Sequence, residues 1–116
     1  MLERQITFNV KGNSYQIEFP TVGKFQEIET MKQIVSKGMY SSLLSTGTLS
    51  SMEVLNMIDI ESSLSVLIPK LIKDLKCESF SDLDIDDFLE LKKAYQDQFI
   101  PWWNKILDKL SPKIED

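Results

Sequence analysis

The chain of 116 residues has no histidine, a single cysteine (Cys77) and no run of lysine or arginine longer than two. The first absence removes the imidazole on which Ser-His-Asp and Cys-His sites depend, and with it the commonest metal ligand. The second excludes an internal disulfide and a cysteine-based zinc site, and it favours an intracellular compartment. With a net charge of −5, the third removes any gain from counterion release, so no nucleic-acid partner is expected. No stretch approaches 18 consecutive apolar residues, so no membrane span is expected. The opening MLERQITFNV lacks the basic and then apolar pattern of a signal peptide, and a cytoplasmic protein is expected. Neither G-x-x-x-x-G-K-[ST] nor G-x-G-x-x-G occurs, which leaves no phosphate-cradling loop. These absences leave no catalytic residue, cofactor or metal to nominate, and the chain is not expected to be an enzyme.

Hydrophobic residues make up 42% of the chain, enough for one core, and a single domain over 1–116 is expected. Its first part reads as a β-hairpin over 5–19. Ile6, Phe8 and Val10 alternate with polar residues, as do Tyr15, Ile17 and Phe19. A two-residue loop at Gly12-Asn13 would pair Val10 with Tyr15, Phe8 with Ile17 and Ile6 with Phe19, all on one face. A lone hairpin is marginal in water, so helices must cover it or its edges must pair.

Helical spacing then predicts helices over 22–37, 51–68, 70–76 and 85–110. Thr21 is the expected N-cap of the first, which would bury Val22, Phe25, Ile28, Val35 and Met39, with Met31 and Ile34 widening the stripe, and end at Gly38. The Ser/Thr-rich stretch 40–51 is expected to be a loop. Ser50 and Glu53 form a capping-box pattern ahead of a helix burying Val54, Met57, Ile58, Ile60, Leu64 and Leu67. Pro69 breaks it, and Leu71, Ile72 and Leu75 face inward beyond the break. The fold class expected is α+β, mainly helical: a two-stranded hairpin followed by three to four helices.

Chemistry-bearing patterns are few. Asp82, Asp84, Asp86 and Asp87 begin like a calcium loop, but position six is Asp87 instead of glycine and position twelve is Lys93 instead of glutamate. The stretch reads as a solvated acidic loop leading to an Asp84 cap. Lys76 beside Cys77 would lower a thiol pKa, though an inert thiol is the plainer reading.

The last helix carries the stripe Phe88, Leu91, Tyr95, Phe99, Trp102, Ile106 and Leu110. Pro101 should bend or split it near Phe99-Ile100, and Pro112 with a charged tail should end it. Trp103 lies about 100° round from Trp102. One tryptophan is expected to plug the core and the other to cover its rim or be offered to a partner. Phe99, Trp102, Trp103 and Ile106 are therefore the candidate partner-binding residues.

The hairpin ending in IEFPTVGKFQEIE, the Ser/Thr stretch after KGMYSSLL, the VLIPKLIKDL segment and LKKAYQDQFIPWWNKIL together resemble the small tail assembly chaperones of long-tailed bacteriophages, over nearly the whole chain. The resemblance implies a protein with no enzymatic activity and no cofactor. It would bind the long tape-measure protein before the tail tube polymerises and keep that helical client soluble. Such proteins are not usually retained in the finished tail, and many occur in two lengths through programmed frameshifting. Self-association into a homo-oligomer is compatible with many copies per client. The alternatives are a structural or adaptor module of a virion, or a small acidic regulator that inhibits a host protein.

Overall fold

The computed structural model describes residues 2–110 of the chain. The fold is α+β and mainly helical, with an N-terminal antiparallel hairpin. The expected end of the last helix at Pro112 and the charged tail lies outside the described residues. Within the 1–116 expected to form one domain there are two compact units. One combines the described parts of Met1–Phe19 and Ile85–Asp116, and the other is Pro20–Asp84.

In the first unit, β1 (Gln5–Val10) pairs with β2 (Asn13–Glu18). The register is Val10 with Asn13, Phe8 with Tyr15 and Ile6 with Ile17, two residues away from the expected pairing. The turn is centred on Lys11-Gly12, with φ of 51° and 77°. Two positive φ values make a type I′ turn, whose twist matches that of the strands. Gly12 takes its second position without steric cost, and Lys11 bears the left-handed conformation at its first. Because the shift is an even number of residues, the faces are unchanged. Phe8, Val10, Tyr15 and Ile17 are all buried.

The helical half of this unit is α5 (Ile85–Ala94), a π-turn (Tyr95–Phe99) and α6 (Ile100–Leu110). β1 packs against α5 and the π-turn. Asp86 and Asp87 sit in the first turn of α5 and Lys92 and Lys93 in the last, the arrangement the helix dipole favours. The split comes where Pro101 demands it. In the π-turn the Ile100 N–H bonds to the Tyr95 carbonyl five residues back. The widened turn brings Pro101 into the first turn of α6, where its missing N–H costs little.

In the second unit, α1 (Val22–Val35), α2 (Tyr40–Thr46), α3 (Leu49–Leu67) and α4 (Pro69–Asp74) follow in order. A 3-10 turn at Phe80–Asp82 comes after them. α3 packs against α1, α2 and α4. Thr21 caps α1 as expected, accepting from the Lys24 N–H at 3.1 Å. The helix ends earlier than Lys37, in a Schellman motif in which the Gly38 N–H bonds to the Gln33 carbonyl and the Lys37 N–H to the Ile34 carbonyl. Lys37 (φ 56°), not Gly38, is the first left-handed residue.

The expected Ser/Thr loop is in large part helix α2. Ser45 and Thr46 turn their hydroxyls back onto the Ser41 and Ser42 carbonyls, so side chains that normally compete with a helix are absorbed by it. Gly47 (φ 66°) ends α2. Thr48 then caps α3 by accepting from the Ser51 N–H at 3.1 Å. The Ser50/Glu53 capping box is therefore displaced, because the chain leaves Gly47 already extended at Thr48. Ile68 breaks the helix ahead of Pro69, which opens α4.

Candidate functional site

The four candidate partner-binding residues come together, but inside. Phe99 is fully buried, and Trp102, Trp103 and Ile106 are buried beside it. Spacing explains this: 99, 102, 103 and 106 are i, i+3, i+4 and i+7, one continuous helix face wide enough for both indoles. Phe99 packs against both, stacked on Trp103 at 5.2 Å and edge-on to Trp102 at 6.1 Å, while the two indoles lie 6.5 Å apart and Tyr95 stacks on Phe99 at 4.7 Å. The Trp102 Nε1–H donates to the Glu3 carbonyl at 2.8 Å, which satisfies the polar end of a buried indole. Phe19 meets Trp102 edge-on at 6.3 Å and lies under the Arg4 guanidinium at 3.9 Å. Contrary to the expected division of labour, both tryptophans are core, and none of the four offers a docking surface.

The π-turn also places Gln98, which the sequence did not single out. Its side-chain amide grips the outer edge of β1. The Asn9 N–H donates to Gln98 Oε1 at 2.6 Å, and Gln98 Nε2 donates to the Asn9 carbonyl at 2.8 Å. Beside it, Lys11 Nζ pairs with Asp87 Oδ1 at 2.8 Å, tying the hairpin turn to α5. The groove along this seam, near 230 Å³, is lined by Asn9, Lys11, Glu90, Lys93, Asp97 and Gln98 among others. It is shallow, with Lys93 beside Asp97 at 3.8 Å and Lys11 held by Asp87.

The acidic stretch divides. Asp82 joins Ser79 in a capping box around the 3-10 turn, and Asp87 is taken by Lys11. Among the described residues no three carboxylate or thiol side chains gather closely enough to hold a metal ion. Ser79 Oγ lies within hydrogen-bond distance of both Glu61 carboxylate oxygens, at 3.2 and 3.0 Å. Burial pushes the Glu61 carboxyl above its usual range, the Ser79 hydroxyl partly offsets that, and Asp82 adds to it. Burial, followed by Asp82 and Glu61, likewise pushes the Cys77 thiol up. The lowering by Lys76 does not prevail, and the Cys77 thiol is not activated.

What the sequence reading missed is on the surface of the second unit. Val22, Ile34, Met39, Val54 and Met57, all expected in the core, are exposed, as are Leu44, Leu49 and Met52. In α3 the buried line is Ser51, Leu55, Ile58, Ser62 and Val66. At 100° per residue, Leu49 and Met57 fall on the opposite side and Met52 on the flank between. That same side is buried further along, at Ile60, Ser63 and Leu64. The first half of α3 thus carries apolar side chains on two faces and packs only one. Leu49 is 88% exposed.

The surroundings are nearly free of charge. No charged residue occurs from Gly38 to Met52, and Glu53 is the only one between Lys37 and Asp59. That gap overlaps the Ser/Thr-rich stretch 40–51 that the sequence alone marks as a loop. Among the described residues, no helix is long and apolar enough to cross a membrane.

No family model matches the chain, and no curated protein and no solved structure matches it either.

Proposed function

We propose that the chain is a non-enzymatic tail assembly chaperone of a long-tailed bacteriophage, which binds the helical tape-measure protein in the host cytoplasm and keeps it soluble until the tail tube assembles. The reading starts from the resemblance of the four segments named above. The observation that carries it furthest is the exposed apolar surface of α2 and the first half of α3, where Glu53 is the only charged residue between Lys37 and Asp59. Monomeric soluble proteins rarely expose several large apolar side chains together unless something binds there.

A holdase needs such a surface, and it needs tolerance for many client sequences. Met39, Met52 and Met57 supply unbranched, polarisable side chains that adapt to irregular partners. Acidic residues elsewhere keep the carrier apart from other acidic molecules and soluble. The partner chemistry that fits is an amphipathic helix laying its apolar stripe along α3.

Co-expression tests the reading. A phage tape-measure protein co-expressed with the chain should move from the insoluble to the soluble fraction when the chain is present. A client that is equally soluble alone would overturn the proposal. Gene order gives an independent check, with a tail-tube gene before and a very long tape-measure gene after.

A further inference from the structure

The two edges of the hairpin are unequal. The pairing of Val10 with Asn13, and the Phe19 N–H bonded to the Arg4 carbonyl at 2.8 Å, fix which backbone groups point into the hairpin. The N–H and C=O groups of Asn9, Thr7 and Gln5 point out of β1, and those of Ser14, Gln16 and Glu18 point out of β2. Gln98 occupies the β1 edge at Asn9, so a strand added there would have to displace it. Ser14, Gln16 and Glu18 are all exposed. Among the described residues, their outward backbone groups have no partner.

We propose that β2 pairs edge to edge with β2 of a second copy of this chain, antiparallel about a two-fold axis at Gln16. The strand's own sequence argues for that occupant. With the axis at Gln16, Gln16 faces Gln16 of the second copy and Ser14 faces Glu18, so every outward N–H and C=O of the three residues finds a partner. Moving the axis to Glu18 sets two carboxylates face to face, which is destabilising. Moving it toward Ser14 runs the ladder into the Lys11-Gly12 turn. The favoured register is therefore both the longest and the one without like charges opposed.

On the solvent face, Gln5 hydrogen-bonds Gln16, and Gln16 Nε2 donates to Thr7 Oγ1 at 3.2 Å. The polar row that crosses the hairpin would continue across the new seam. Pairing of this kind is isologous and closes at two copies, because Gln98 blocks the β1 edge at Asn9. It converts a two-stranded hairpin into a four-stranded sheet, the size at which sheets become stable in their own right. It is independent of the chaperone reading, since it uses neither α2 nor α3.

Amide hydrogen exchange across a concentration series, run with sedimentation, tests it. At high concentration the mass should double, and the Ser14, Gln16 and Glu18 amides should slow at least about tenfold while the Thr7 amide is unchanged. The Gln16→Pro variant removes the central outward donor, which the hairpin does not use, and should stay monomeric where the wild type is dimeric.

Three results would overturn the proposal. One is a chain that stays monomeric up to about 1 mM. Another is a dimer whose three amides exchange freely. The third is protection that appears only when the tape-measure client is added, which would make the occupant a client strand.

Discussion

The aromatic segment of the first unit and the α2–α3 region of the second both hold large apolar side chains, and they place them in opposite settings. Phe99, Trp102, Trp103 and Ile106 share one helix face, and that face is buried. Leu44, Leu49, Met52 and Met57 lie in a nearly uncharged stretch and are exposed. The difference teaches that the residue types most often found at binding hot spots are here the plug of a core. Aliphatic and methionine side chains, which would pass for core in a sequence, are left exposed. Burying an aromatic side chain contributes about 2–3 kcal/mol. An exposed leucine contributes almost nothing to the fold.

Phe99→Ala should break this contrast most strongly. It empties the space between Trp102, Trp103 and Tyr95 and should cost about 3–5 kcal/mol in urea unfolding, enough to unfold a marginal domain. Leu49→Ala, by comparison, should change stability by less than about 0.5 kcal/mol. Equal losses at the two positions would erase the distinction between the units.

Gln98→Leu comes next. It removes both partners of the outward Asn9 groups and should cost about 1–2 kcal/mol. It should also open the β1 edge, so that association no longer closes at two copies and light scattering grows with concentration. A variant as stable and as discrete as the wild type would show that the Gln98 clasp is incidental.

The smallest effect belongs to Glu61. Burial raises its carboxyl pKa, so the protonated form fits the fold better than the ionised one. Its stabilising contribution is complete below the ordinary carboxylate range and is lost as pH rises through the raised value. Glu61→Gln should therefore be slightly more stable than the wild type at pH 7 and should lose that advantage near pH 4. A difference independent of pH would contradict the assignment.

Much of the architecture was legible. The hairpin faces, the Thr21 cap, the break at Pro69 and the split before Pro101 each rest on a local rule with one dominant cause. The turn register was missed because two neighbouring loops give the same faces, and only the backbone distinguishes Lys11-Gly12 from Gly12-Asn13. Helix α2 was missed because serine and threonine disfavour helices on average, and nothing local shows that Ser45 and Thr46 will bond back to their own helix.

The exposed apolar surface was missed for a different reason. Helical periodicity says which residues share a face, not whether a neighbour covers it. Met57 and Val54 look no different in sequence from Ile58 and Leu55. The absence of charge from Gly38 to Met52 was the available signal, and it becomes informative only once that stretch is known to be ordered helix and not loop.

The proposed function is tested most directly by the Leu49→Asp, Met52→Asp double variant, co-expressed with a phage tape-measure protein and compared with the wild type. Both positions are exposed, so the variant should keep the wild-type circular dichroism and melting temperature. The client should be soluble with the wild type and in the pellet with the variant. A folded variant that keeps the client soluble as well as the wild type does would contradict the claim that the α2–α3 surface is where the partner binds.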